Sequence, residues 1–517
     1  MREVKQRFLD SHDELPERTP SFLLKFTKTV NIPPGSIRSS VITLLSATVG
    51  SGVLSLPYAA KQSGVISCVV LLMLGSVAAY LTIWQLITVT VETSNLSDPP
   101  KTYQELATRS GGPRFAAFVK WLMVANLFGT CVAYMVVIAT LVPAALSVFL
   151  PGDLQHEWYM QRWFILLVIC VVFETPLGLM KEMGALRYTS LIAIFCSIYL
   201  AIITVIEYFI MCDDNDPNAP QCFVASMKDE NVILHDFGFQ GVIATIPLVV
   251  YSFTCQPQVL PIYLELVRPS PTRMLRVARY AFVFCVLLYV TIAIFGFLTF
   301  VGETQGDFLL NDYKHHQEVL VGGFGLIVAV SLCIPMFVHA GRFNIIGRNN
   351  NNSNDNDNDN NDDDEESYMD GSVNGNSGEI LYSQMQQEQQ QQNMHKLTTT
   401  SSSQQEDVED SNTCGGKCTR CLNKGDTYHR LVTLVWIFSA YGVASTFKNI
   451  EFVISILGST TIPIIGYILP AFFLIRLTPR NSYKCMKAVC CTMALVVEVI
   501  CLSNLGFQIK SWAKGDI

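Results

Sequence analysis

Two short stretches carry groups able to grip a small charged molecule. The first, SATVGSGVLSLPYA (46–59), holds Gly50-Ser51-Gly52 and then Pro57 inside an apolar run long enough to cross a bilayer. Glycine and proline are the residues a helix interior tolerates least. The second is Ser252-Phe253-Thr254-Cys255-Gln256, flanked by Pro247, Pro257 and Pro261 within another such run. A membrane helix is interrupted only where its freed backbone groups face protein, water or a ligand. At such a break, N–H groups at a helix start suit a carboxylate, and unwound carbonyls suit an ammonium group or a hard cation. Taken alone, GSG serves equally well as a notch for tight helix packing. Two breaks five spans apart favour the binding reading, because an inverted five-plus-five repeat puts the first and sixth spans in corresponding positions.

The elements that must position these breaks are apolar runs. The chain has 517 residues, 50% of them hydrophobic and only 15% charged. That balance points to a polytopic membrane protein and away from soluble domains. Eleven runs reach spanning length, near 39–61, 64–91, 115–145, 162–180, 187–210, 238–266, 280–301, 319–342, 430–447, 451–475 and 487–507. The polar first forty residues have no short apolar core behind a basic tip, so the first run is expected to stay in the membrane. With the N-terminus cytoplasmic, all but seven of the 35 Lys and Arg fall on the inner side. The opposite orientation inverts that ratio.

The expected organisation is an N-terminal cytoplasmic tail (1–38), core spans one to eight (39–348), a cytoplasmic insert (349–428), spans nine to eleven (429–508) and an extracytoplasmic tail (509–517). The net charge of −8 belongs to the insert, where residues 349–412 contain fifteen Asp or Glu and one Lys. Its Asn-, Asp- and Gln-rich composition cannot bury enough apolar surface to order itself. CGGKCTRC (414–421) lacks a fourth ligand for a closed zinc site; palmitoylation suits its juxtamembrane place better, and an inert linker is the plainest reading. Cys212 and Cys222 flank a loop expected outside, where a disulfide persists; two unpaired thiols are the equal alternative. TYQELATRSGG (102–112) reads as a cytoplasmic amphipathic helix, and Arg268, Arg273, Arg276 and Arg279 as a basic cluster that fixes topology.

Four stretches in order, VGSGVLSLPYA (49–59), PLGLMKEMGALRYTS (176–190), SFTCQPQVLPIYLEL (252–266) and AVSLCIPMFVHAGR (329–342), resemble the amino acid/auxin permease superfamily. The resemblance is closest to its sodium-coupled neutral amino-acid transporters of the system A/N type and covers roughly 39–508. It implies an all-α, LeuT-like fold of eleven helices with discontinuous helices one and six. It implies alternating-access symport of small neutral L-amino acids by a monomer in the plasma membrane or an endolysosomal or vacuolar membrane. By the same resemblance, Val49, Gly50, Ser51, Gly52 and Val53 hold the substrate's carboxylate and amine. Tyr251, Ser252, Phe253 and Thr254 line its side-chain pocket. A sodium site would draw on the Ala47 carbonyl and on Ser331, which matches the family's threonine. Two positions depart from the pattern: Ser46 replaces an ion-binding asparagine, and Gln256 replaces a titratable histidine. Coupling to sodium or to protons therefore both stay open, and no other cofactor is expected.

Of the ionisable residues within apolar runs, Glu174 and Glu498 lie deep, whereas Glu265 and His339 lie near inner ends. None is singled out by spacing as a proton carrier. The sequence has no HExxH, GxSxG or P-loop, so an enzyme reading has no support. Nor does anything point to nucleic acid. An amino-acid-binding membrane sensor that signals through the insert is the alternative function.

Overall fold

The computed structural model describes residues 35–94, 99–149, 158–180, 189–211, 238–300, 304, 317–346, 418–447, 449–479 and 481–514. The insert's acidic and Gln-rich tracts and the Cys212 and Cys222 pair lie outside the described residues. The described chain is helical, and it divides into one unit formed by 1–341 with 436–517 and a second formed by 342–435. Among the described residues, eight helices are long and apolar enough to cross a membrane, or up to ten if each of two bent pairs counts as one span. This is a multi-pass membrane protein.

The first unit begins with α1 (Ile37–Thr48), capped by the Ser36 hydroxyl accepting from the Ser39 N–H. Helical hydrogen bonding ends at Val49, whose N–H still reaches the Leu45 carbonyl at 2.8 Å. A single 3₁₀ turn, Ser51–Ser55, then leads into α2 (Leu56–Ser63), turned 53° from α1. Pro57 sits in the first turn of α2, where its missing N–H forfeits no intrahelical bond. The sixth span is built alike. Helix α8 (Phe239–Ser252) stops at Phe253, and α9 (Gln256–Glu265) restarts with Pro257 in its first turn. Between these lie α3 (Val65–Ser94), α4 (Tyr103–Phe149), α5 (Arg162–Ile169), α6 (Thr175–Leu179) and α7 (Thr189–Met211).

After α9 come α10 (Pro271–Phe300) and α11 (Gln317–Ile346), then α12 (Cys418–Thr446), α13 (Ile450–Ser459), α14 (Thr461–Pro463), α15 (Leu469–Leu477) and α16 (Lys484–Lys514). Helix α10 packs against α1, α2, α3 and α7, so it braces both halves of the first broken span. Helix α2 packs on α8, and α1 on α9, so the two breaks lie together with paired halves on either side. Tyr289 of α10 and Phe253 at the second break are among the largest fully buried side chains. Exposed apolar rows on α3 (Val70, Leu74, Val77) and α16 (Leu495, Val499, Leu502) suit a lipid-facing surface.

Three bounds differ from the sequence reading. The 102–112 stretch is helical but merges into α4 across a kink at Gly112, whose φ of +79° is left-handed and suits glycine. The basic stretch around Arg273 and Arg276 already belongs to α10, because Pro271 starts that helix early. The ninth span, short by hydropathy, extends back to Cys418. Two spans also widen into single π turns, at Cys170–Glu174 and Ile464–Ile468, each close to a proline.

Candidate binding site between two broken helices

Both glycines of the first break are needed for close approach, not for unusual backbone angles. Gly50 is extended at φ −131°, an angle open to any residue. A Cβ there would fall 2.7 Å from the Tyr134 hydroxyl. A Cβ on Gly52 would fall 2.7 Å from the Ser252 Oγ and 3.0 Å from the Tyr251 ring. The first break is thus pressed against the second, and Ser51 and Tyr251 join them through a 3.0 Å hydrogen bond between their hydroxyls.

A third helix ties the two ends. The Tyr289 hydroxyl lies 3.0 Å from the Thr48 carbonyl and 2.9 Å from the Ser252 carbonyl, the last residues of α1 and α8. These are carbonyls that the broken helices leave without the usual partner. One hydroxyl proton serves two acceptors, so Tyr289 holds the ends at a fixed separation. Its side chain is fully buried.

A cavity of about 290 Å³ lies against these breaks, lined by Ser46 to Gly50 on one side and by Tyr251, Thr254 and Cys255 on the other. Asn126, Thr130 and Tyr134 of α4, Ser197 of α7, and Cys333 and Phe337 of α11 complete the wall. Tyr134 and Phe337 meet edge to face at 5.1 Å. Several wall hydroxyls donate backwards into their own helices: Thr43 to the Ser39 carbonyl, Ser46 to Thr43, Thr130 to Asn126, Ser197 to Ala193 and Thr254 to Val250. A hydroxyl that spends its proton this way keeps lone pairs for an ammonium group or a cation. Gly50, before the 3₁₀ turn, makes no side-chain cap. The N–H groups at this break are of the kind that suits a carboxylate.

The structure brings together some of the expected residues and separates others. Val49 and Gly50 line the cavity, as do Tyr251 and Thr254; Ser46 and Ala47 line it from the α1 end. Ser51, Gly52 and Val53 are fully buried behind it, where the two breaks touch. Ser252 is turned into its own helix, donating to the Leu248 carbonyl, and Phe253 packs edge to face on Phe282 and Tyr289. Ser331 is not among the lining residues; its neighbours Ala329, Val330 and Cys333 are, on an adjacent face of α11. Gln256 caps the restart of α9: its Oε1 accepts from the Cys255 N–H and its Nε2 donates to the Thr82 hydroxyl. Glu265 is exposed, whereas Glu174 is buried with neither carboxyl oxygen hydrogen-bonded. Among the described residues, no group of three His, Cys, Asp or Glu is placed to hold a metal ion.

Sequence reasoning missed Asn126, Thr130, Tyr134, Ser197 and Tyr289. The signal available was polarity within apolar runs: a buried tyrosine hydroxyl or an amide in a membrane needs a partner. Which partner, no spacing reveals.

A family model described as transmembrane amino acid transporter protein matches residues 33–513. The chain belongs to this family. Members are transporters, not enzymes. The chain is also similar to vacuolar amino acid transporter 6 of Saccharomyces cerevisiae, at 26% identity over 315 residues. That match takes in 60% of this chain and 66% of the yeast protein.

Proposed function

We propose that this transmembrane amino acid transporter family member is a secondary active transporter of small neutral amino acids, coupled to a cation and working by alternating access. The observation that carries the reading is the cavity at two adjoining helix breaks, with hydroxyl acceptors on its wall and the interrupted backbone of Val49 and Gly50 beside them. An amino acid is a zwitterion, and these two sets of groups match its two charges. Among the described residues, no Lys, Arg, Asp or Glu lines the cavity, which suits a neutral side chain. The volume is of the order that a small ligand needs.

The fold behind the proposal is a LeuT-like arrangement of eleven spans in two inverted halves. Pairing of α1 with α9 and of α2 with α8 supports it. On this reading, the rigid ties through Tyr289 and Ser51 move the broken spans as one body. The cation partner is sodium or a proton, held near Ser46 and Ala47; a hard cation accepts hydroxyl and carbonyl oxygens. The yeast relative's name suggests a vacuolar membrane, with the N-terminus in the cytosol by the distribution of basic residues.

Purified protein in proteoliposomes, given a panel of labelled amino acids under separate sodium and proton gradients, tests this directly. Accumulation of neutral amino acids under one of the two gradients is the expected result. No accumulation under either, with correctly inserted protein, refutes it.

A further inference from the structure

The wall of the central cavity carries several hydroxyls whose protons are already given to their own helices, so it is richer in acceptors than in donors. Asn126 of α4 adds a donor whose position is fixed. Its Oδ1 accepts from the Thr461 hydroxyl of α14 at 3.0 Å. This hydrogen bond assigns the amide's orientation, with Oδ1 toward α14 and Nδ2 toward the cavity. The two Nδ2 hydrogens have no partner among the described residues, and the side chain is only part-buried on the cavity wall. An amide nitrogen held this way donates to whatever occupies the cavity.

Asn126, Thr130 and Tyr134 are spaced by four residues and share one face of α4. Tyr134 marks the level of the first break, because its hydroxyl abuts Gly50. Asn126 stands two turns away, about 12 Å along the helix axis. Thr130 lies between them and gives its proton to the Asn126 carbonyl, which leaves its oxygen able to accept. A free donor and a free acceptor therefore follow one another along α4, leading away from the break. Gln258 of α9 also lines the cavity, but its side chain is exposed and makes no hydrogen bond among the described residues, so nothing fixes it.

We propose that Asn126, oriented by Thr461, is a specificity-determining residue that reads the far end of the substrate's side chain. Its Nδ2 donates to a side-chain oxygen, and the Thr130 hydroxyl accepts from a side-chain N–H. A carboxamide satisfies both. In an amino acid that ends in one, about four carbon–carbon bonds of about 1.5 Å separate the two carbonyl carbons. With its terminal oxygens and a hydrogen bond of about 2.9 Å at each end, such a molecule reaches roughly 12 Å. A hydroxyl one carbon beyond Cα falls short. An apolar chain of equal length covers the amide and leaves its donor unpaired, which costs more than the bond itself contributes. This inference deepens the transport reading and rests on it for the placing of the carboxylate and amine at the break.

Equilibrium binding of labelled glutamine and methionine to the full-length protein in nanodiscs tests this, because the two side chains are similar in length and only one ends in a carboxamide. Wild type should bind glutamine more tightly. In Asn126→Leu the ratio of glutamine to methionine affinity should fall about tenfold. Taking the ratio within one variant cancels any loss of folded protein. Asn126→Asp keeps the acceptor for Thr461 and loses the donor, so the ratio should fall there too. Thr461→Val frees the amide and should lower the ratio by less. A wild type with no preference for glutamine, or a ratio unchanged in Asn126→Leu, overturns the proposal. A ratio kept in Asn126→Asp overturns the donor assignment. A ratio that falls with Gln258→Leu and not with Asn126→Leu moves the contact to α9 and equally overturns it. Uptake of both amino acids into proteoliposomes is measured alongside. Accumulation of methionine with no preference for glutamine leaves transport standing and sinks this inference. Preferential glutamine binding without accumulation under either gradient does the reverse.

Discussion

The two helix breaks do the same job by different physics. At the first, the chain stays open because there is no room for a side chain: Gly50 faces the Tyr134 hydroxyl, and Gly52 faces Ser252 and Tyr251. At the second, residues with full side chains keep the gap open. Gln256 caps the restart through its Oε1, and Pro257 begins the helix where no N–H is missed. One break is held by close contact and the other by hydrogen bonds. A steric device fails abruptly when an atom is added, whereas a hydrogen-bonded one weakens by degrees.

Substitutions at each break can sharpen or erase this contrast. The largest effect is expected at Gly52. A Gly52→Val side chain drives into Ser252 and Tyr251, and uptake in proteoliposomes should fall to background while surface or organelle abundance holds. Near-normal uptake would mean the breaks are not pressed together. Gly50→Ala comes next: its methyl meets only the tip of one tyrosine. Uptake should fall substantially and recover in part with Tyr134→Phe, which removes the clashing oxygen; no recovery would place the fault elsewhere.

Tyr289→Phe tests the tie between the breaks. It strips the donor from the Thr48 and Ser252 carbonyls, so thermal unfolding should report a loss of about 2 kcal/mol, with uptake reduced. An unchanged melting temperature would show that other groups hold these ends. The smallest effect belongs to Gln256→Leu, which removes only a cap and a bond to Thr82. A loss of about 1 kcal/mol with modestly slower uptake is expected. A collapse as severe as that of Gly52→Val would erase the distinction between the breaks.

For coupling, Ser46→Ala should raise the cation concentration needed for half-maximal uptake without abolishing transport, because neighbouring carbonyls remain. Ser331→Ala is expected to do less, since Ser331 is not on the cavity wall. Comparing the two by titrating sodium at fixed pH, and then pH at fixed sodium, separates their roles.

The helical class, the presence of many membrane-spanning helices and both breaks were legible in the sequence. Hydropathy reports burial in lipid along a single chain, and glycine and proline report local backbone geometry wherever they sit. Gln256 shows where that legibility ends. As a residue type it reads as a lost titratable group; in the fold it is a cap on α9 and a partner of Thr82, 174 positions away. Ser51, Gly52 and Phe253 likewise read as wall residues from their place in the motifs, yet they form the contact behind the cavity. Ser331 shows the same limit on α11, where one step along a helix turns a side chain to a different face.

What the sequence by itself determined is a membrane-embedded helical chain with two interrupted spans and an acidic, Asn- and Gln-rich segment. Those properties follow from composition and from residues acting on their immediate neighbours. Only the tertiary structure decided that the glycines are demanded by Tyr134 and Ser252, and that Tyr289 holds both broken ends. Each of those depends on side chains far apart in the chain meeting within hydrogen-bonding or van der Waals distance. No period or spacing along one strand of sequence encodes such a meeting.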